Sequence, residues 1–343
     1  MIKSFGQLPS GKRLSRIQAS PNYRDGSFQN IYPTQMLAEG ASYPKMMRQF
    51  LFGKQPNQEP PQALVTVKEN LKTISPEVPS ITWFGHSSYL LTLNGKFILI
   101  DPVFSQRASP FQSMGSKAFP FTETYTIDDL PDPDLVILTH DHYDHLDHGV
   151  MLKLGRRAKA FAVSLGVGAH LESWGVDPAK IREFDWWESA QVLPGIELTA
   201  TPARHFSGRV FTRGQSLWSS FILKGGGKKV FVGGDSGYDG SFAKIGSHAG
   251  GFDFAILECG QYDAQWPNIH MMPEETVQAA VDLKTSTMMA VHWGKFKLAN
   301  HAWSDPIVRA YAKATELKMP IATPRIGQRM LLDQLVVGRP WWG

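Results

Sequence analysis

Directly after the apolar run Leu135-Val136-Ile137-Leu138, the string THDHYDHLD at residues 139–147 crowds His140, His142, Asp144 and His145 into six positions. A short aliphatic run of this kind reads as a buried strand, and such a strand delivers whatever follows it to an exposed rim. Imidazole nitrogens and carboxylate oxygens are the donors that hold Zn2+ or a similar borderline divalent ion, and a cluster that leaves positions open for water suits hydrolysis. A His-rich surface loop with no ligand has no need of three His and two Asp (Asp141, Asp144) within six residues.

One cluster does not fill two coordination spheres, and three further ligand-type residues also lie where a strand ends. His205 follows Leu198-Thr199-Ala200-Thr201-Pro202, Asp235 follows Val230-Phe231-Val232-Gly233-Gly234, and His292 follows Met289-Ala290-Val291. Adjacent strands in a sandwich would collect all of these on one rim. His140, His142 and His205 would then hold a first ion, and Asp144, His145 and His292 a second, with Asp235 bridging. Two ions about 3.5 to 4 Å apart share a hydroxide and clamp the attacking and leaving oxygens of a displacement.

The rest of the chain is consistent with a globular enzyme. It has 343 residues, 42% hydrophobic and 19% charged, which is ordinary globular composition with length enough for a sizeable core. The formal charge of +4 comes from the first 80 residues, which hold ten Lys and Arg against five Asp and Glu. That excess reads first as a solvated face, and the near-neutral remainder offers no basic, aromatic-interleaved extension for nucleic acid. Cys259 is the only cysteine, so no intramolecular disulfide forms, and it reads as a small buried residue at a strand end. The amino-terminal residues lack an apolar signal core and no run is long enough to cross a bilayer, so a cytoplasmic protein is expected, with peripheral contact at the inner membrane face as an alternative.

Residues 1–78 are proline-rich with little periodicity and read as an irregular arm on a main domain of residues 79–343. Within the arm, YPKMMRQFLFG (43–53) is aromatic and basic; core docking is expected of it, with membrane-surface contact as the alternative. Beyond the arm, strands are expected near 81–84, 88–93, 97–100, 135–138, 160–163, 191–193, 197–200, 219–223, 229–232, 254–257 and 288–291, and helices near 166–174, 273–284 and 306–317. Pro273 followed by Glu274 and Glu275 is a good helix start, since a first-turn proline loses no needed hydrogen bond and the acids suit the dipole. Many strands before helices in each half predict an α/β chain with two sheets packed together and helices outside.

These residues resemble a known family. THDHYDHLD, the later His, GGDSGY (233–238) and Val291-His292-Trp293-Gly294 resemble the metallo-β-lactamase superfamily, which implies a four-layer αββα sandwich binding two metals at one edge. IDPVFSQRASP (100–110), FDWWE (184–188), GGDSGY, HWGKFKLAN (292–300) and, more weakly, GSFQN (26–30) resemble its N-acyl-phosphatidylethanolamine-hydrolysing phospholipase D branch. The resemblance implies two Zn2+, with Mn2+ or Fe2+ as alternatives, bound by His140, His142, Asp144, His145, His205, Asp235 and His292. It also implies a phospholipid substrate, attack of a metal-bound hydroxide at phosphorus, and a homodimer at a membrane face. ECGQYDAQWPN (258–268) and the loop after His205 depart from the family pattern.

Around the ligands, Asp101 is placed to accept the free N–H of a ligating imidazole and His86, in the family's GHxS-type turn, lies close by. His270 matches a family position near the reacting phosphate and, with Asp144 and Asp235, completes the expected catalytic set. Arg204 and Lys295, with Arg209 and Lys297 beside them, are the cations expected to face the phosphate; Trp218, Tyr262 and Trp266 are expected to line an apolar groove. A lactonase, or a hydrolase of soluble phosphodiesters, would use the same ligands.

Overall fold

The computed structural model describes every residue except Met1, Tyr43, Lys45, Met47, Gln49, Phe50, Leu51, Lys54, Val210, Phe211, 335–339 and Gly343. The expectation for the 43–53 stretch therefore falls largely outside the described residues. Two seven-stranded sheets form the body. The first contains β1 (Ser80–Trp83), β2 (Tyr89–Leu93), β3 (Lys96–Ile100), β4 (Leu135–Leu138), β5 (Ala160–Ser164), β6 (Ile181–Phe184) and β14 (Arg329–Leu331) in the order β6-β5-β4-β3-β2-β1-β14. The second contains β7 (Ser189–Leu193), β8 (Ile196–Pro202), β9 (Ser219–Gly225), β10 (Lys228–Val232), β11 (Phe254–Glu258), β12 (Met288–Val291) and β13 (Ile321–Ala322), in sequence order.

Each sheet is half antiparallel and half parallel. In the first, β14, β1, β2 and β3 meander antiparallel, then β3, β4, β5 and β6 run parallel. In the second, β7 to β10 are antiparallel and β10 to β13 parallel. Parallel strands need crossovers, and α-helices supply all of them except the one between β3 and β4. Helices α2 (His148–Arg157) and α3 (Gly168–Ser173) flank the first sheet; α4 (Ser241–Ala249), α5 (Pro273–Asp282) and α6 (Asp305–Glu316) flank the second, and a further helix, α1 (Gly11–Gln18), belongs to the amino-terminal segment.

Covered on both faces, the strands read as unbroken apolar runs rather than alternating ones. Ile98, Ile100, Leu135 and Ile137 face the second sheet and share a core with Leu198, Phe221 and Leu223, while Leu99, Val136 and Leu138 face outward onto Val150, Met151 and Leu154 of α2. The α/β sandwich expected from the strand and helix pattern is thus present. Strands β6, β13 and β14 and helices α1, α2 and α4 were not among the sequence expectations. β14 is three residues long and gains its place only by pairing with β1 across most of the chain.

The amino-terminal segment is tied to the body by polar contacts. Arg13 pairs with Glu183 at 2.8 Å and with Glu172 at 2.5 Å. Gly6 sits so close to His170 that a Cβ there would lie 2.1 Å from its Nδ1, and Gly6 has φ of +74°, so only glycine fits. Asn30 reaches the strand end that carries His205. Its Oδ1 accepts from His205 N and from Trp218 Nε1, both at 3.1 Å, and its Nδ2 donates to His205 O at 2.9 Å. Asn30→Ala is expected to lower stability by about 1–3 kcal/mol, because buried donors around His205 lose their partner. Urea unfolding of the two proteins checks this; an unchanged midpoint would make the contact dispensable.

Candidate metal centre

The ends of β4, β8, β10 and β12 deliver His140, His205, Asp235 and His292 to one rim. The approach is close. Gly234, at φ of +61°, lies so near Thr139 and Ser219 that a Cβ would come within 3.0 Å of Thr139 Cβ and 2.9 Å of Ser219 O. A larger residue there would push Asp235 away from His140. Three non-glycine residues at this rim, His86, Asp101 and His292, also hold φ of +54°, +38° and +67°, an uncommon region that concentrates at functional sites. The His86 and His292 turns clasp each other, His292 N donating to His86 O and His86 N to Trp293 O, both at 2.9 Å.

Two donor groups that share no residue result, with a third, Asp235, His270 and His292, overlapping both. His140, His142, His205 and Asp235 form one, with His140 Nε2 3.0 Å and His205 Nε2 3.2 Å from His142 Nδ1. His86, Asp144, His145 and His292 form the other. Asp235 stands between them, Oδ2 lying 3.2 Å from His145 Nε2, 3.7 Å from His205 Nε2 and 3.8 Å from His140 Nε2, and Oδ1 lying 3.2 Å from His292 Nδ1. All seven expected ligands converge.

The tautomers suit metal binding. His205 Nδ1 donates to Ile269 O at 2.8 Å, and His145 Nδ1 to Asp101 Oδ2 at 2.8 Å, leaving each Nε2 toward the centre. Burial holds the His140, His205 and His292 imidazoles well below their ordinary pKa, so they are neutral with lone pairs available. Burial also opposes ionisation of Asp144 and Asp235, yet the neighbouring His145 keeps both carboxyls well below the usual range. His145 Nε2 and Asp235 Oδ1 are buried without a hydrogen-bond partner, an unsatisfied pair that a cation between them would complete. These residues fit two divalent ions.

Asp101 and His86 stand where expected. Asp101 accepts from Thr139 N at 2.9 Å and Thr139 Oγ1 at 2.6 Å besides His145, and His86 Nε2 donates to Asp144 Oδ2 at 2.8 Å. Asp101→Asn keeps the shape but removes one acceptor, and metal affinity is expected to fall about 10- to 100-fold. Competition with a chromogenic chelator checks it; wild-type affinity would exclude Asp101 from orienting His145. Asp141, the other carboxylate of the cluster, turns away and accepts from Gly208 N at 2.7 Å and Ser216 Oγ at 2.8 Å.

The centre floors a cavity of about 280 Å³ whose walls include Met36, Leu37, Met46, Phe206, Trp266 and Leu298, with Arg213 and His270 at its side. Trp266 and His270 are therefore at the cavity as expected, and the His270 ring lies 5.0 Å from that of His205 and 5.2 Å from that of His292. Four other expected substrate contacts are corrected. Arg204 faces away, donating to Thr34 Oγ1, Pro33 O and Tyr238 O, because the amino-terminal segment offers acceptors within its reach. Lys295 is buried and donates to Val103 O at 2.7 Å and Phe84 O at 3.3 Å, and its burial lowers its pKa to about 8. It borders a separate cavity of about 890 Å³, lined also by Phe84, Phe104, Phe119 and Tyr125, which contains none of the metal donors.

Trp218 is spent on Asn30 and Ala203 O, and Tyr262 on Asp305. The flanking cations are also elsewhere: Arg209 is buried, donating to Asp141 O and Leu146 O, and Lys297 pairs with Glu59. Residues that the sequence reading missed are Asn30, Arg213, the Met36-Leu37 wall and Glu258. Glu258 follows an apolar run at the end of β11, as the ligands follow theirs, and that was the available signal.

Comparison with known proteins agrees with this geometry. The family described as "Beta-lactamase superfamily domain" matches residues 96–293. An uncharacterized protein of Mycobacterium tuberculosis is 39% identical over 329 residues, covering 95% of this chain and 88% of that one. The mitochondrial N-acyl-phosphatidylethanolamine-hydrolyzing phospholipase D of Saccharomyces cerevisiae is 34% identical over 235 residues, 66% of this chain but only 49% of the yeast protein. Among solved structures, an isothiocyanate hydrolase from Delia radicum gut bacteria (TM-score 0.58, 19% identity, 73% of this chain and 98% of that one) shares the fold, as does Igni18, a metallo hydrolase of Ignicoccus hospitalis (TM-score 0.56, 20% identity, 74% and 97%). The chain therefore belongs to the β-lactamase superfamily and is one of its metal-dependent hydrolases.

Proposed function

We propose that this chain is a phospholipase D-type phosphodiesterase that cleaves N-acyl-phosphatidylethanolamine or a related phospholipid at the head-group side of phosphorus. The supporting observation is the apolar wall of Met36, Leu37, Met46, Phe206, Trp266 and Leu298 that leads down to the donors His142, Asp144, His205, Asp235 and His292. An acyl-bearing substrate finds apolar surface there while its phosphate reaches the charged floor. The likeness to the yeast enzyme, and to a Caenorhabditis elegans enzyme of the same name at 30% identity over 230 residues, supports the same reading.

In this proposal His140, His142, His205 and Asp235 hold one zinc ion, and Asp144, His145 and His292 hold the other with Asp235 shared. Bound there, the two ions supply Lewis-acid charge and a water acidified toward neutrality. The chain's own groups do the rest. His86 and Asp101 fix the orientation of Asp144 and His145. Arg213, over the Phe206 ring at 4.8 Å, adds positive charge on the cavity wall where the phosphoryl oxygens gain negative charge. In this reading His270, on the cavity wall, takes up a proton on its cavity-facing nitrogen and gives it to the departing head-group oxygen.

No described helix is long and apolar enough to cross a membrane, so a lipid substrate would be met at a surface. Exposed Ile31 lies just before the Met36-Leu37 wall. Incubating zinc-loaded protein with N-acyl-phosphatidylethanolamine in mixed micelles is expected to release phosphatidate and N-acylethanolamine. Cleavage of lactones or soluble diesters with the lipid left intact would overturn the lipid assignment.

A further inference from the structure

Glu258 closes β11 with its side chain completely buried, in a segment whose sequence departs from the family pattern. Its two oxygens are used differently. Oε1 accepts from Met271 N at 2.7 Å, whereas Oε2 has no hydrogen bond and lies 3.5 Å from His270 Nδ1, itself buried without a hydrogen bond. A buried carboxylate oxygen is costly to leave unpaired, and the imidazole nitrogen is the polar atom it faces. Both residues are held from elsewhere: Thr276 Oγ1 donates to Glu258 O at 2.9 Å, and His270 lies three residues before the start of α5 at Pro273.

We propose that Glu258 is a positioning residue for His270, accepting its Nδ1 proton and so turning Nε2 toward the cavity. A carboxylate suits this task because it accepts at both ends, from Met271 N–H at one and from the ring at the other. A carboxamide of the same shape accepts at one end only. In Glu258→Gln the amide oxygen stays with Met271 N–H, the NH2 group meets Nδ1, and the imidazole must carry its proton on Nε2. The variant thus inverts the tautomer while leaving the volume unchanged.

What His270 does for the substrate rests on the phosphodiesterase reading; the tautomer does not. Long-range 1H–15N spectra of the zinc-loaded, 15N-histidine-labelled protein are expected to show His270 protonated on Nδ1 in the wild type and on Nε2 in Glu258→Gln. A wild-type His270 protonated on Nε2 alone overturns the proposal without need of any variant. With N-acyl-phosphatidylethanolamine in mixed micelles, Glu258→Gln is expected to lose about 100-fold in kcat with little change in KM. Glu258→Gln/His270→Ala should be no slower than His270→Ala, and all three variants should keep two metal equivalents.

Wild-type kcat in Glu258→Gln, or loss of an ion in His270→Ala, which would make His270 a ligand, overturns the proposal. If the lipid is not turned over at all, the spectra still decide the role of Glu258 and only the substrate assignment fails.

Discussion

Replacing Asp235 by Asn will cost at least about 1,000-fold in kcat/KM and leave the protein short of two metal equivalents. The expectation follows from where the carboxylate sits. Its oxygens lie within 3.2 to 3.8 Å of His140, His145, His205 and His292, so its carboxylate contacts imidazoles of both donor groups. A carboxamide keeps the shape but removes the negative charge, and its NH2 end presents hydrogens where a cation would need a lone pair. Elemental analysis and steady-state kinetics on one preparation check both halves. Two bound equivalents and near wild-type turnover in Asp235→Asn would remove Asp235 from the centre.

Stripping the metal is expected to have the second largest effect: hydrolysis is lost entirely, and the melting temperature falls. The donors come from the ends of β4 in one sheet and β8, β10 and β12 in the other, so ions held among them cross-link the two layers. Without ions, the buried Asp235 carboxylate and the unsatisfied His145 Nε2 must be tolerated by the fold alone. Binding at a free metal concentration about 1,000 times the dissociation constant contributes about 4 kcal/mol of stability. For a chain of this length that is about 6 °C in melting temperature for each ion. Dialysis against a strong chelator, then calorimetry and re-addition of Zn2+, Mn2+ or Fe2+ in separate arms, checks the loss and shows which ion restores both properties. Full activity after chelation would defeat the proposed dinuclear mechanism.

The parts of this protein legible from sequence share a local physical cause. Strands covered on both faces must be apolar throughout, so Leu135–Leu138, Val230–Val232 and Met288–Val291 could be picked out residue by residue. Ligands placed just past such runs were therefore legible too. Helix α5 was readable because Pro273, Glu274 and Glu275 satisfy the needs of a helix start. Strand β14 was not, since three residues carry too little pattern and their partner β1 lies far away in the chain.

What the sequence by itself determined, then, is the double-sheet architecture and the lodging of the candidate metal donors at strand ends, because apolar runs and the polar residues that terminate them are consequences of neighbours along the chain. Only the tertiary structure decided where the long side chains point. Lys295 lies three residues past His292 yet turns to Val103 O and Phe84 O, and Arg204 precedes His205 yet turns to Pro33 O and Tyr238 O. A flexible cation goes to whichever unpaired carbonyl lies within reach, and those carbonyls belong to segments distant in sequence. The same holds for Glu258, whose neighbour His270 is brought beside it by the packing of α5 on β11.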